Sequence, residues 1–181
     1  QIAVVTIVAC AMTLVMIAGH IDVSVSSTVV LGGIVAGLAI KAGAPVWMAF
    51  VLAVIAGGGV GLLNAFLVLG VGITSLIATI GTMFAILGFA NILTNGLPIA
   101  GLPPEFRIVG QGDFLGVPIA LPTILLIVGL FVGIQALTLF GRWVVAVGSD
   151  SRAAFLNGVN VTRTTTMCFL LTGVAAGWAG V

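Results

Sequence analysis

Charged side chains are scarce in this sequence. Only 5% of its residues are Asp, Glu, Lys or Arg, whereas 61% are hydrophobic. A water-facing globule of 181 residues would need far more polar side chains to cover its surface. The composition therefore excludes a soluble domain and indicates a protein that lives in a lipid bilayer.

Further scarcities narrow the function. The two cysteines, Cys10 and Cys168, lie in separate apolar runs and match neither a disulfide framework nor a metal site, and His20 has no second His, Cys or well-spaced carboxylate nearby. The single lysine, Lys41, follows Ile40, and no GxxxxGK(S/T) phosphate loop occurs, so the chain does not bind ATP in the usual way. The net charge of +1 without a basic cluster argues against nucleic acid as a partner. We therefore expect neither catalytic residues nor a metal or cofactor, and the chain is not predicted to be an enzyme.

Long runs without any charged residue mark the membrane segments. They cover residues 2–19, 23–40, 42–104, 114–141 and 164–181. About 20 helical residues cross a hydrocarbon core roughly 30 Å thick, so these lengths suit transmembrane helices, and the longest run divides at the polar and Gly-containing stretch 69–75. We predict an all-α fold, a single polytopic transmembrane helical bundle over residues 1–181, with helices near 2–18, 28–40, 46–68, 76–94, 121–140 and 164–181.

The ends of the chain indicate a fragment. It begins with Gln1 rather than Met, and its last apolar segment stops at Val181 without a flanking anchor. We therefore expect the transmembrane domain to be incomplete at both ends.

Glycines recur at helical spacing in these segments. Small residues let membrane helices approach closely, and a GxxxG pair places both glycines on one helix face. Such repeats in separate segments favour a tightly packed bundle. The four pairs are Gly33/Gly37, Gly57/Gly61, Gly129/Gly133 and Gly173/Gly177.

A polar stretch near residues 19–27 predicts a broken or re-entrant segment. A carboxylate at membrane depth costs at least about 2.5 kcal/mol on insertion scales, so Asp22 must reach an interface, a wet cavity or a hydrogen-bond partner. Two interpretations stay open. Asp22 caps the following helix together with Ser24 and the hydroxyl side chains after it, or it belongs to a transport path.

Other uncharged polar side chains lie within the apolar runs. In lipid they must face protein or water, so they mark the interior of the bundle. Ordinary interhelical hydrogen bonding explains them as well as hydrogen bonding to a polar solute does. Together with the break they define a candidate translocation path of Asp22, Ser24, Asn64, Thr79 and Asn91.

The distribution of arginine predicts the orientation. Residues 141–163 carry three arginines, whereas residues 95–120 carry one. The positive-inside rule then makes 141–163 a cytoplasmic loop and 95–120 an external loop. Counting back through the crossings places the break and the stretch 69–75 on the cytoplasmic side as well.

A short helix is predicted within the cytoplasmic loop. Ser149 or Asp150 provides its N-cap, and Gly158 suits the left-handed backbone position that follows a helix. The helix carries the apolar side chains of Phe155 and Leu156 outside the membrane. Such a helix needs a partner surface.

This loop resembles the coupling loop of the permease subunits of bacterial ATP-binding-cassette importers. Their short cytoplasmic helix carries a signature of Glu-Ala-Ala, three residues and Gly, and the stretch 152–158 keeps the two alanines and the glycine. Arg152 replaces the acidic residue, which changes the charge of the contact and not its location. Further stretches resemble the ribose, xylose and galactose permease branch, in the same order along nearly the whole chain: residues 19–25, 79–83, 94–99, 140–142, 146–148 and 158–161.

The resemblance implies a function and a set of partners. The chain would be the transmembrane permease subunit of an importer in the bacterial inner membrane, forming the translocation pathway for a ribose-, xylose- or galactose-like monosaccharide. Its partners would be a second permease chain, as a homo- or heterodimer, two cytoplasmic ATPase subunits that hydrolyse ATP, and an extracytoplasmic solute-binding protein. The implied ATPase-coupling loop contains an apolar anchor and a polar rim: Asp150, Arg152, Ala153, Ala154, Phe155, Leu156, Gly158 and Arg163.

Other functions stay open. An ion-coupled secondary transporter would also explain a broken helix and buried polar residues, but it predicts paired ionisable groups at the membrane midplane, for which the sequence offers only Asp22 with His20. A non-transporting membrane scaffold leaves the short cytoplasmic helix unexplained. Within the importers, autoinducer 2 and branched-chain amino acids are alternative solutes, because specificity lies mainly in the binding protein.

Overall fold

Helices make up most of the described chain. The computed structural model describes residues 2–103, 106, 112–114, 117–118 and 120–181. Apolar residues form the long helices, because a helix pairs its own backbone groups where no water is available to do so. In chain order the elements are α1 (Ile2–Ile17), α2 (Val25–Lys41), α3 (Val46–Ala65) with a π-helical extension (Phe66–Gly70), α4 (Ser75–Thr94), an antiparallel pair of two-residue strands β1 (Asp113–Phe114) and β2 (Val117–Pro118), α5 (Ala120–Leu137), α6 (Leu139–Ser149), α7 (Ser151–Leu156) and α8 (Val161–Ala179).

Several of these helices suit a membrane. Among the described residues, two are long and apolar enough to cross it, namely Val46–Gly70 and Ser75–Thr94. Helices α5 and α6 pass the same test as a pair that is bent by 71°. Helices α1 and α2 are also apolar but shorter, with 16 and 17 residues. The predicted all-α membrane bundle is confirmed.

The break between α1 and α2 is shorter than predicted. The second helix begins at Val25 and not near residue 28, so the non-helical segment runs over residues 18–24. Ser27 and Thr28 lie in the first turn of α2, where each hydroxyl donates to the carbonyl of Ser24, at 2.7 and 2.9 Å. These hydroxyls therefore bond within the helix rather than cap it.

The predicted loop 141–163 is largely helical. Thr138 ends α5 and caps α6, because its hydroxyl accepts the backbone N–H of Gly141 at 3.2 Å. The prediction of one helix over 121–140 was wrong at this point, since the chain turns sharply and a second helix follows. The predicted external loop 95–120 falls partly outside the described residues, Glu105 and Arg107 among them.

Helices α3 and α8 make the most extensive helix–helix contact of the described chain. Two of the predicted GxxxG pairs, Gly57/Gly61 on α3 and Gly173/Gly177 on α8, form this contact. A Cβ added to Gly57 would overlap the carbonyl oxygen of Gly173, and one added to Gly173 would overlap that of Gly57. Glycine thus allows backbone to pack on backbone where lipid supplies no hydrophobic drive.

Three connections meet at one end of the bundle. The backbone N–H of Ile21 donates to Ser75 Oγ at 3.2 Å, which places the α1–α2 break beside the start of α4. Gly148, near the end of α6, packs on Ile17 at the end of α1. We call this end, from which α7 projects, the α7 end. At the opposite end, Val181 packs against buried alanines of α2 and α3.

We predict that Gly173→Ala lowers the free energy of unfolding by about 1–3 kcal/mol, because the new Cβ overlaps backbone in a packed contact. Thermal or denaturant unfolding of the purified protein in detergent measures the difference. The matched control is Gly133→Ala on α5, where no described atom lies within 4 Å of an added Cβ. Equal stability of the two variants would contradict the glycine contact.

Candidate functional site

Hydrogen bonds to α4 hold the α1–α2 break against the bundle. The N–H of Ile21 donates to Ser75 Oγ, and the N–H of Val23 donates to Thr79 Oγ1, both at 3.2 Å. Thr79 is fully buried, and its hydroxyl donates to the carbonyl of Ser75 at 2.8 Å. Main-chain donors that belong to no helix are thereby paired.

Asp22, Ser24 and Asn64 form a buried polar cluster. Asp22 Oδ1 accepts the hydroxyl of Ser24 at 2.6 Å and the N–H of Ser24 at 3.0 Å. Asn64 Nδ2 donates to Ser24 Oγ at 2.7 Å and to Asp22 Oδ1 at 3.5 Å. Asp22 thus binds Ser24, the N-cap residue of α2, and not the first-turn N–H groups that a cap would bind.

One acceptor in this cluster has room for a further donor. Asn64 Oδ1 is buried and has no hydrogen-bond partner in the part of the chain that the structure describes. An unpaired buried acceptor costs about 1–3 kcal/mol. A hydroxyl group or a water molecule that donates to it would remove that cost.

The cluster lies within the bundle and not at its surface. Asn64 precedes Gly70, the last residue of the α3 extension, by six residues, which is about 9 Å of helix. The ring of His20 packs on that of Phe169 with centroids 5.8 Å apart. Because Phe169 follows the start of α8 by eight residues, it lies about 12 Å along that helix.

The structure brings together four of the five residues of the predicted path, Asp22, Ser24, Asn64 and Thr79. Asn91 is exposed and lies on α4 twelve residues beyond Thr79, about 18 Å along the helix and rotated by about 120°. It therefore does not reach the cluster. Ser75, which accepts the N–H of Ile21, was not predicted as a path residue, because its position at the start of a helix is an ordinary one for serine.

Helix α7 has a side-chain cap at its N-terminus. Asp150 Oδ1 accepts the N–H groups of Arg152 and Ala153, both at 2.9 Å. Gly158 follows the helix with a φ of 82°. The predicted short helix is present, with Asp150 and not Ser149 as its cap.

Two large apolar side chains project from α7. Phe155 is 68% exposed and Leu156 is 77% exposed. Ala154 faces the bundle with only 5% of its surface exposed, whereas Ala153 is exposed. The two alanines of the predicted signature therefore have different roles. Ala154 packs α7 on the bundle, whereas Ala153 leaves only a small side chain on the outer face of the helix.

The surface around α7 is apolar at its centre and basic at its edge. An open groove of about 570 Å³ runs from Phe155 to the start of α8. Arg152 and Arg163 are exposed beside it. We define the α7 surface as Arg152, Phe155, Leu156 and the groove residues Gly158, Val159, Asn160, Val161, Thr162 and Arg163.

Comparison with known proteins places this arrangement among transport proteins. The model of a family described as "Branched-chain amino acid transport system / permease component" matches residues 1–181. The Autoinducer 2 import system permease protein LsrD of Yersinia pseudotuberculosis serotype O:3 (strain YPIII) is 35% identical over 182 residues, which cover 97% of this chain and 54% of that protein. LsrD of Yersinia pestis (strain Pestoides F) gives the same identity and coverage. The chain thus spans about half the length of the curated relatives it matches, and no solved structure matches it.

We predict that Asp150→Ala loosens α7, because two N–H groups lose their acceptor at a cost of about 1 kcal/mol. Hydrogen exchange at the amides of Arg152 and Ala153 should then be about fivefold faster. Asp150→Asn keeps a side-chain oxygen at the cap and serves as the control. Unchanged exchange in Asp150→Ala would contradict the capping role.

We also predict that Asn64→Ala lowers the free energy of unfolding by about 1–3 kcal/mol, because Ser24 and Asp22 lose a buried partner. Asn91→Ala, at an exposed position on α4, should change it by no more than about 0.5 kcal/mol. Unfolding of both variants in detergent tests the difference. A larger loss of stability in Asn91→Ala than in Asn64→Ala would contradict the stabilising role of the polar cluster.

Proposed function

This chain belongs to the family of permease components of branched-chain amino acid transport systems, and on that premise we propose that it forms part of the translocation pathway of an ATP-binding-cassette importer. The importer lies in the bacterial inner membrane, which the chain crosses several times. ATP hydrolysis belongs to partner subunits, because the sequence has no phosphate loop. The chain itself supplies helices, a polar path and a docking surface.

The α7 surface is the contact with a cytoplasmic ATPase subunit. The observation that carries this proposal is a capped helix that holds Phe155 and Leu156 outside the bundle, where no described residue covers them. A separate apolar surface would bury both side chains, and Arg152 and Arg163 would form the polar rim of the contact. The arginines around α7 also favour the cytoplasm for this end of the bundle.

The buried cluster at the α1–α2 break lines the pathway. Helix α2 has 17 residues, fewer than the roughly 20 that a full crossing needs, and the residues before it bond to α3 and α4, which supports a break within the thickness of the membrane. Polar groups at such depth are retained where they face a partner or a solute path. The unpaired oxygen of Asn64 supports a role in hydrogen bonding to a passing hydroxyl group.

The solute is a small hydroxylated molecule. The relatives at 35% identity are named for autoinducer 2 import, so autoinducer 2 is tested first, with ribose, xylose and galactose beside it. An extracytoplasmic solute-binding protein delivers the solute and sets most of the specificity. A second permease chain and two ATPase subunits complete the assembly.

We predict that Phe155→Asp together with Leu156→Asp abolishes both co-purification of the ATPase subunit and ATP-driven uptake, because two carboxylates would be placed in an apolar contact. Uptake of labelled solute into proteoliposomes and the subunit content of the purified complex are measured together. Asn95→Asp, which adds a carboxylate at the opposite end, is the control and retains both.

Two outcomes would contradict the proposal. The first is a Phe155→Asp, Leu156→Asp variant that keeps its ATPase subunit and its uptake. The second is uptake by the unaltered protein that an ion gradient drives without ATP, which would favour a secondary transporter.

A further inference from the structure

Helices α6 and α7 are directly linked. A single residue, Asp150, separates them, and its N–H donates to the carbonyl of Ala146 in α6 at 3.1 Å. The carbonyl of Asp150 accepts the N–H of Ala154 in α7 at 2.9 Å, while its side chain caps α7. The same residue thus bonds backward into α6 and forward into α7. A displacement of α7 moves the end of α6 with it.

The connection from α7 to α8 is less direct. The non-helical residues 157–160 separate these helices, and Gly158 in this stretch adopts a φ of 82°. Four residues outside a helix transmit a displacement less rigidly than one residue bonded on both sides. The shorter mechanical route from α7 into the bundle therefore runs through α6.

The end of α6 rests directly on the end of α1. A Cβ added to Gly148 would overlap the carbonyl oxygen of Ile17 and approach the backbone of Ala18. Val144 and Val147 on the same helix are buried, so α6 is packed against the bundle near Gly148. Backbone thus lies on backbone at this contact, with no side chain to absorb a shift.

Ile17, which contacts Gly148, directly precedes the break. The N–H of His20 closes the end of α1 on the carbonyl of Val15 at 3.0 Å. The next donors along the chain are the N–H groups of Ile21 and Val23, which bond to Ser75 and Thr79 of α4. A shift of Ile17 would therefore first change the hydrogen bonds that join Ile21 and Val23 to α4.

We propose that Gly148 is the positioning residue that transmits a displacement of α7 to the α1–α2 break. The inference rests on the proposed function, in which an ATPase subunit moves α7. Contact of Gly148 with the carbonyl of Ile17 makes the end of α1 follow α6, and the break then changes its bonds to α4. Glycine is required because any side chain at position 148 would separate the two backbones.

The first test is Gly148→Ala in the transporter assembled with its ATPase subunits and solute-binding protein. Alanine favours helix, so α6 itself is not weakened, and the effect of the change comes from the contact with Ile17. ATP hydrolysis and co-purification of the ATPase should persist, while uptake per ATP hydrolysed falls about tenfold. Gly129→Ala on α5, with no described atom within 4 Å of the added Cβ, should retain both activities. Normal coupling in Gly148→Ala would overturn the inference and leave the docking of α7 untouched.

A second test leaves Gly148 in place and covers the case in which its variant does not assemble. Spin labels are introduced at Ser151→Cys on α7 and Met16→Cys on α1, in a Cys10→Ala, Cys168→Ala chain that retains uptake. Met16 is 59% exposed, so it accepts a label without disturbing packing. The distance between the labels should be the same in the nucleotide-free and ATP-bound states.

A reference pair, Ser151→Cys with Leu97→Cys at the opposite end, shows whether α7 moves at all. Its distance should differ between the two states. A change in the distance from Ser151 to Met16 would overturn the role of Gly148. No change in the reference pair would contradict the proposed function itself, because α7 would then not be displaced by ATP.

Discussion

The structure depends on pairing the backbone of the α1–α2 break inside an apolar bundle. The N–H groups of Ile21, Val23 and Ser24 lie outside regular helices and bond to acceptors that belong to neither α1 nor α2. Hydroxyls of Ser75 and Thr79 supply two acceptors, and Asp22 supplies a third to Ser24. These bonds fix α4 against the break, while Asn64 fixes α3. The polar interior therefore exists because the helix is broken, and in the proposed function the same break makes it available to a solute.

Close backbone packing surrounds this polar interior. Glycines of α3 and α8 bring those helices into contact, and Gly148 brings α6 onto the end of α1. Contacts of this kind leave little freedom for side chains to rearrange, so we expect packed helices to move as units. The α7 surface stands at the end of one such unit. The exposed helix α7 and the buried α1–α2 break are thus connected through packed helices.

The sequence predicted what depends on composition and local chemistry. Uncharged runs predicted the helices, and the stretch Ser149-Asp150-Ser151 with Gly158 predicted the capped α7. Identical GxxxG patterns did not show that Gly57 packs on α8 while Gly129 contacts nothing described within 4 Å, because a pattern does not name the opposite helix. The bend at Thr138 carries no charge or proline to mark it. Asn91 was grouped with Thr79 by polarity, although helical rotation turns it outward.

In the proposed importer, the break is an ordered, hydrogen-bonded segment that responds to ATP bound at a partner subunit. Hydrogen exchange of residues 18–24 in the assembled transporter, with and without ATP, tests it most directly. We expect slow exchange at the amides of Ile21, Val23 and Ser24 without ATP, and a changed rate when ATP binds. Exchange as fast as that of an exposed loop, or the same slow rate in both states, would contradict it.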